Sequence, residues 1–590
     1  MEGKIKAVSQ KILSVLIQYP AVLFMSLLMV SSIIYSLEFE YSTYKPFLPA
    51  RLIIVSSLGI SLMFGIKMLS QRIGKSLLLH GLGLLVLVLY FLISPSTKEE
   101  FTDAYVFVIF PSLLLSHLFV AFAPHFQKDP EISFWQYNKN LFINFFLTVI
   151  FTGVLTGGVM LAILAVQELF SVDFDDRIYP ETFFTLAIFG STFIFLLFNE
   201  KGLGQLERDE SYPVVLKFFT QFVLIPLLLI YIVILYFYSG KILIKWQLPE
   251  GWVSYLILAY SILGILALLL VHPLKDDSAK SWVRIFSKAF YLALMPLLIL
   301  LFTAIFTRLL DYGFTEPRYF VLLMAIWLLI IVCYFTFIRK STIKFIPISL
   351  FTLGLLALVF PYVNVFSTSI RSQEHELELV LKDKSLLENG KIDFKKSVSS
   401  ETASNVADKF EYLSERQQHD FLKKFIDSSF VDYHKKDKWY IRSLFQNIVA
   451  DTNDNRNNYE SLYAKETVTK ISDYDYMASS EELNYQEILI NGDRFTLKSN
   501  AKGTQQRFTT LTLNGKEKVD FLPQISDFFK KYPASENAPE VDSLHAQFDL
   551  GNYHVKIIFS SINRKVTKKQ TDYWYSDALF LIREKRSVDN

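Results

Sequence analysis

Roughly the first two thirds of the chain alternate between long apolar runs and short polar stretches. Up to about Phe366 the apolar runs are roughly 17–25 residues long, and a helix of about 20 residues crosses a hydrocarbon core of about 30 Å. The backbone in lipid must satisfy its own hydrogen bonds, so such runs form helices. The pattern predicts eleven membrane-spanning helices, near residues 17–37, 48–68, 76–94, 104–123, 141–167, 181–199, 213–238, 252–272, 285–307, 319–338 and 345–366.

Beyond Arg371 the long apolar runs stop. Residues 401–426 carry apolar side chains at helical spacing, and after them the period becomes that of strands. The sequence therefore predicts a polytopic α-helical membrane bundle at 1–371 and a C-terminal soluble α+β domain at 372–590. Tight turns between strands are predicted at pairs that adopt positive φ angles, namely Asn491-Gly492, Asn514-Gly515 and Gly551-Asn552.

Composition supports a membrane protein and excludes several other classes. Of 590 residues, 52% are hydrophobic and 16% aromatic, which is more apolar than one soluble core requires. The formal net charge of +2 provides no large field of one sign, so we expect no nucleic-acid partner. The single cysteine, Cys333, excludes a disulfide framework and any cysteine-based metal cluster.

Lys and Arg are distributed unequally between alternate loops. With the N-terminus inside, eighteen of them fall in inner segments and eight in outer loops. Because cytoplasmic loops carry the excess of Lys and Arg, the N-terminus is predicted to be cytoplasmic. An odd number of spans then places the C-terminal domain on the outer side. The first run, Ala21 to Leu37, lacks a small-x-small cleavage site and is predicted to remain as a span.

Two segments of the membrane portion resemble each other, residues 213–272 and 285–338. Each begins with a basic residue and has a proline followed by two leucines in mid-span, at Pro226 and at Pro296. Proline in mid-helix frees a carbonyl and bends the axis, and matching breaks in two repeats mark binding sites in transporters. The segments are a possible two-helix repeat, although apolar helices also resemble one another by chance.

Two acidic residues precede predicted spans on the outer side, Glu250 and Glu316. They are candidates for paired carboxylates that bind a cation or act as acid and base. Both also suit a helix start, because a neighbouring proline and a negative charge are favourable there. The capping role is the simpler interpretation.

A compact polar cluster is predicted at the same membrane surface. It contains Asp311, Tyr312, Glu316 and Arg318. These side chains suit either the fixing of a loop or the binding of a lipid head group, and loop fixing is the simpler role.

Small residues on one predicted span suggest close helix contact. Gly153 and Gly157 are four residues apart, which lets two helices approach within the bundle or between subunits of a homo-oligomer. Ionisable groups in mid-span are few, His80 and His117 being the clearest, which argues against a proton-driven pump.

Motifs for cofactors and common catalytic sites are missing from the sequence. There is no phosphate-binding glycine loop, no H-E-x-x-H zinc motif and no G-x-S-x-G elbow. The loop at 451–460 has the alternating Asp and Asn of a calcium loop but Arg456 and Leu462 at the positions of Gly and Glu. We therefore expect no metal, no cofactor and no enzyme of these classes.

The chain resembles an uncharacterised family of bacterial membrane proteins, domain of unknown function 4153. The likeness rests on three segments, Phe222-Val-Leu-Ile-Pro226-Leu-Leu-Leu-Ile-Tyr231, Leu248-Pro-Glu-Gly-Trp252-Val-Ser and Tyr312-Gly-Phe-Thr-Glu-Pro-Arg318-Tyr-Phe. The resemblance implies a multi-pass protein of the bacterial inner membrane with no established activity. With the orientation above, it implies a periplasmic C-terminal domain.

Three functional hypotheses follow. The first is a polytopic inner-membrane protein whose outer domain binds an envelope partner, either a protein or a small-molecule ligand, while its helices, surrounded by membrane lipids, act as anchor or sensor. The second is a transporter or lipid-handling permease built on 213–338, which requires a polar cavity between the proline-kinked helices. The third is a membrane-embedded transferase for lipid-linked substrates, which requires converging carboxylates at the outer surface.

Overall fold

A computed structural model gives the fold for most of the chain. The described residues fall into two compact units, one within residues 1–449 and the other within 450–590. The described residues are 2–38, 47–97, 100–126, 130–208, 217–245, 252–275, 281–394, 396–426, 445, 458–465, 470–485, 487–499, 508–532, 540–566, 571–575 and 577–585.

Ten helices in the described part of the first unit are long and apolar enough to cross a membrane. They coincide with the first ten predicted spans, so the prediction of a polytopic helical bundle is confirmed. The eleventh run forms a shorter helix, Phe345–Val359, of 15 residues, or about 22 Å. It ends where Phe360 is extended, because the residue before a proline, here Pro361, disfavours the helical conformation.

The first group of helices packs around one apolar core that includes Tyr19, Phe64, Tyr137 and Leu196. A π-helical segment, Thr185–Gly190, lies between two of its helices. The helices are α1 (Glu2–Gln18), α2 (Pro20–Glu38), α3 (Leu48–Ile73), α4 (Ser76–Ile93), α5 (Val106–Phe122), α6 (Glu131–Phe170), α7 (Ile178–Phe184), α8 (Ser191–Phe198) and α9 (Leu203–Leu206).

Polar contacts hold one end of this group together. Glu207 accepts hydrogen bonds from Arg72 and lies 3.0 Å from the His125 ring nitrogen Nε2. The Tyr19 hydroxyl donates to the Asn199 carbonyl at 2.7 Å. Helix α6 has 40 residues, about 60 Å, so it extends well beyond a hydrocarbon core of about 30 Å.

The second group of helices encloses a separate apolar core. Its buried side chains include Leu228, Ile257, Leu294, Leu301 and Leu328. A π-helical segment, Phe219–Leu224, precedes the first helix of this group. The helices are α10 (Ile225–Lys245), α11 (Trp252–Leu270), α12 (Ser281–Tyr312), α13 (Glu316–Phe337) and α14 (Phe345–Val359).

Amphipathic helices follow the last apolar helix. They are α15 (Val365–Asp383), α16 (Ser400–Glu415) and α17 (His419–Leu422), with a short hairpin of β1 (Leu387–Glu388) and β2 (Lys391–Ile392) between the first two. Asn364 and Ser399 cap α15 and α16 by accepting from backbone N–H groups. The helix predicted over 401–426 is interrupted, since Gln417 has a φ of +60°, a left-handed conformation that does not continue a helix.

The second unit consists mainly of antiparallel sheets, which confirms the α+β prediction. The three predicted turns join β5 (Ile488–Ile490) to β6 (Asp493–Ser499), β7 (Phe508–Leu513) to β8 (Glu517–Asp520) and β10 (His545–Leu550) to β11 (Tyr553–Phe559). Asn491 and Gly492 both have positive φ, as this hairpin requires. The other described strands are β3 (Asn458–Ala464), β4 (Tyr476–Ser479), β9 (Glu540–Val541), β12 (Ser561–Val566), β13 (Thr571–Tyr575) and β14 (Ala578–Glu584). The described sheets have the strand orders β10-β11-β14-β4, β13-β12-β3-β9 and β5-β6-β7-β8, and β3 pairs with β9 in parallel.

The strands and helices of this unit surround a core that contains Phe495, Phe521, Tyr553 and Phe580. The described helices are α18 (Ser480–Tyr485) and α19 (Leu522–Lys531).

The packing of α11 against α12 in the second core can be tested by substitution. A Cβ atom on Gly264 would lie 1.9 Å from the buried Phe290 ring, so we expect Gly264→Ala to lower the free energy of unfolding by about 1–3 kcal/mol. Gly240→Ala in α10 is the matched control, because its Cβ would meet nothing within 4 Å among the described residues. Thermal unfolding of the detergent-purified variants measures both; equal midpoints would show that the two helices do not pack as described.

Candidate functional site

The first group of helices contains a cavity of about 700 Å³ within its membrane-spanning part. Helices α2, α3, α5, α6, α7 and α8 and the π-helical segment all contribute to its wall. Val22 and Phe64 are buried at the cavity wall. Phe145 and Val149 also line the cavity but are exposed at the outside of the helix group, where apolar side chains of a spanning helix face lipid. The cavity is therefore open toward the bilayer.

Helix α6 presents a row of threonines to the cavity. Thr148, Thr152 and Thr156 recur every fourth residue, which places them on one face of the helix. All three are buried, while most neighbouring side chains of α6 are exposed. The inward face of this helix is thus made of small hydroxyl-bearing residues.

Gly153 and Gly157 lie next to this row and also line the cavity. A Cβ atom on either glycine would meet nothing within 4 Å among the described residues. Within the described chain, no helix therefore packs closely against them. Their predicted role in contact between subunits stays a prediction.

The cavity is apolar in its walls and uncharged. Phe64, Phe145, Phe183 and Phe195 supply aromatic surface. Among the described lining residues none is Asp, Glu, Lys or Arg, and the polar ones are hydroxyl-bearing residues and His117. A pocket of this kind suits a lipid better than a charged solute, because an unpaired charge is costly to bury there.

The predicted outer-surface carboxylate Glu316 is buried and paired. Its side chain is 0% exposed and Arg416 is 8% exposed. Two guanidinium nitrogens of Arg416 donate to its two oxygens, Nε to Oε1 at 2.6 Å and Nη2 to Oε2 at 2.8 Å. The Tyr412 hydroxyl donates to Oε2 at 2.9 Å. The first residue of α13 is therefore held by the C-terminal turn of α16.

The electrostatics of this ion pair follow from its burial. Burial alone lowers the pKa of the Arg416 guanidinium, but its hydrogen bonds to Glu316, together with the charges of Tyr412, Glu316 and Glu415, raise the pKa above its usual value. Burial raises the pKa of the Tyr412 hydroxyl, and the negative charge of Glu316 adds to the increase. The Arg416 guanidinium also lies 3.4 Å from the centre of the Tyr412 ring. These groups form a stable structural link, with both carboxylate oxygens occupied.

The rest of the predicted outer cluster fixes a loop. Arg318 donates to the Tyr312 and Gly313 carbonyls at 3.0 and 2.9 Å. From α15, Gln373 donates to the Tyr312 carbonyl at 2.9 Å, and the Phe314 N–H donates to the Ser372 hydroxyl at 2.8 Å. The loop between α12 and α13 is thus attached to α15.

The remaining candidate in this cluster, Asp311, is exposed. Glycine suits the turn that follows it, because Gly313 has a φ of +69° and a Cβ there would lie 2.8 Å from the Ser372 hydroxyl oxygen. The other predicted carboxylate, Glu250, lies outside the described residues.

The two mid-span prolines lie in the second group of helices. Pro296 is inside α12, and Pro226 follows the π-helical segment at the start of α10. The Tyr236 hydroxyl donates to the Ala293 carbonyl at 2.9 Å, three residues before Pro296, and so links α10 to α12 near the proline. The helices that carry the two prolines, α10 and α12, bury apolar side chains in the second core.

Sequence reasoning missed the residues that matter most for both sites. The threonine row of α6 is visible as a four-residue period, but hydroxyls in spans usually bond to their own helix and attract no notice. Arg416 is 100 residues from Glu316, and no local pattern connects them.

Comparison with known proteins gives a family and no activity. A model of the family described as "Domain of unknown function (DUF4153)" matches residues 16–386. The "Uncharacterized protein PM1469" of Pasteurella multocida (strain Pm70) is 28% identical over 232 residues, which are 39% of this chain and 38% of that protein. The match thus spans less than half the length of that relative. No solved structure matches the chain.

The buried ion pair predicts that a single substitution at Arg416 strongly lowers the stability of the protein. We expect Arg416→Gln to lower the free energy of unfolding by about 3–5 kcal/mol, because it leaves the Glu316 carboxylate buried without its charged partner. Glu316→Gln combined with Arg416→Gln should recover part of that loss. Arg177→Gln is the control, since Arg177 pairs with Asp175 at an exposed site and such pairs contribute about 0–1 kcal/mol. Thermal unfolding in detergent gives the ranking, and equal effects of Arg416→Gln and Arg177→Gln would contradict the described link.

Proposed function

Because this chain belongs to the DUF4153 family, whose description gives no activity, we propose its function from its membrane helices: it is a multi-pass membrane protein that binds a lipid from the bilayer and acts as a lipid receptor. The observation that supports this proposal is the 700 Å³ cavity beside α6. Its uncharged, largely apolar wall suits a lipid, and its exposed rim gives a lipid a lateral route of entry.

The proposal develops the hypothesis of a binding or sensing protein. A transporter built on 213–338 requires a polar cavity between the proline-kinked helices, whereas these helices surround the apolar core of the second group. A transferase requires free carboxylates at the outer surface, whereas Glu316 already binds Arg416 and Tyr412. Both observations favour binding over transport or catalysis.

We place the protein in the bacterial inner membrane, with the N-terminus in the cytoplasm and the C-terminal domain in the periplasm. The excess of Lys and Arg in alternate loops supports this orientation. It requires α14 to cross the bilayer as an eleventh span, although its 15 residues are fewer than the usual 20 or so. Local thinning of the bilayer accommodates a short helix at modest cost.

Lipid occupancy can be tested by labelling. Cells supplied with a diazirine-bearing fatty acid incorporate it into their lipids, and irradiation should attach it to peptides that contain residues 145–160. Gly153→Leu and Gly157→Leu should reduce this labelling several-fold, because a Cβ at either position meets open space among the described residues and the rest of the leucine side chain takes up cavity volume. Gly158→Leu is the control on the same helix: its Cβ also meets open space among the described residues, but Gly158 is not among the lining residues. Unchanged labelling in both cavity variants would refute the proposal.

Orientation can be tested with single cysteines. Cys333→Ala removes the only cysteine of the chain, and Lys340→Cys and Asp383→Cys then place one on either side of α14, at exposed positions. In spheroplasts, a membrane-impermeant maleimide should label the Asp383→Cys variant alone. Labelling of both variants, or of the Lys340→Cys variant alone, would overturn the proposed orientation.

A further inference from the structure

Hydroxyl groups in the spanning helices commonly bond to their own backbone. The donor reaches a carbonyl three or four residues earlier, at 2.5–2.9 Å, which satisfies the hydroxyl where no water is present. The residues that do so include Ser26, Ser32, Ser56, Thr148, Ser191, Ser261, Thr303, Thr307 and Thr352.

Thr152 and Thr156 depart from this pattern. They are 8% and 7% exposed, and their hydroxyls have no hydrogen-bond partner among the described residues. Both residues line the cavity. Threonine in a helix can bond its hydroxyl to a carbonyl three or four residues earlier, but among the described residues neither hydroxyl makes that bond, so each is available to a molecule in the cavity. A buried polar group without a partner is unfavourable, and a ligand that bonds to it removes that cost.

A third polar group of the wall is the ring of His117. Its Nδ1 lies 2.8 Å from the Leu113 carbonyl oxygen. Because a carbonyl only accepts, Nδ1 carries the hydrogen, and in the neutral ring Nε2 is then an acceptor. The cavity therefore offers two hydroxyls about 6 Å apart along the helix axis and one ring acceptor, with no charged side chain among the described lining residues.

We infer that the ligand of this cavity is an uncharged lipid with carbonyl or hydroxyl oxygens, which accept or donate hydrogen bonds at Thr152 and Thr156. The inference rests on the proposed lipid-binding function and specifies its ligand. A pure hydrocarbon leaves both hydroxyls without a partner. A phospholipid head group in the cavity brings a charge that none of the described lining side chains neutralises.

Two classes of uncharged membrane lipid carry such carbonyl or hydroxyl oxygens. A diacylglycerol carries two ester carbonyls and one hydroxyl, and an isoprenoid quinone carries two ring carbonyls. Native mass spectrometry of the detergent-purified full chain distinguishes them, because it resolves the mass of each bound lipid. The probes are dioleoylglycerol and a short-chain isoprenoid quinone, with squalene as the hydrocarbon and phosphatidylglycerol as the charged lipid.

Valine replaces threonine with nearly the same shape and no hydroxyl. We expect Thr152→Val and Thr156→Val each to weaken binding of the preferred neutral lipid about five-fold, the effect of one hydrogen bond. Thr148→Val is the control, because the Thr148 hydroxyl already donates to the Asn144 carbonyl at 2.7 Å; it should leave the affinity unchanged. Equal unfolding midpoints of the three variants show that folding is intact.

The outcomes separate this inference from the function on which it rests. Binding of dioleoylglycerol or the quinone that weakens only in the Thr152 and Thr156 variants supports it. Equal binding of squalene, tighter binding of phosphatidylglycerol, or full affinity in the Thr152→Val and Thr156→Val variants overturns it, while lipid labelling of residues 145–160 that Gly153→Leu and Gly157→Leu reduce still supports a lipid receptor. If the labelling test also fails, the proposed lipid-binding function itself is refuted.

Discussion

A polar group at bilayer depth must find its hydrogen-bond partner within the protein, and the membrane portion of this chain is organised by that requirement. Hydroxyls bond back to their own helices, as Ser261 does to the Ile257 carbonyl. Arg51 donates to the Phe91 carbonyl at 2.6 Å. The two threonines of α6 without such partners stand out against this background, and they face the cavity.

The two groups of helices meet a second constraint in different ways. Lipid chains are as apolar as leucine, so helices in a membrane associate through close packing and polar contacts more than through the hydrophobic effect. In the second group, Gly264 lets α11 approach the Phe290 ring, and the core is continuous. In the first group, α6 contributes small residues, and no described helix occupies the space beside them. This difference is the basis of the proposal that the ligand binds in the first group.

Patterns of short range predict much of this fold. Apolar runs identified the spans because their length matches the bilayer, and Asn491-Gly492 identified a hairpin because few residue pairs adopt its φ angles. The start of α13 at Glu316 was also predictable. Its partner Arg416 was not, since α16 comes 100 residues later in the chain. The cavity was not predictable either, because a void depends on which helices fail to meet, and Thr152 resembles any other hydroxyl in an apolar run.

The most direct test of the account is an electron cryomicroscopy structure of the full chain in nanodiscs made from native membrane lipids. The account predicts elongated density in the cavity, in contact with Thr152 and Thr156 and continuous with the bilayer between exposed side chains of α6. A cavity closed by α6 packing against α8, or empty while lipids around the protein are resolved, would contradict it.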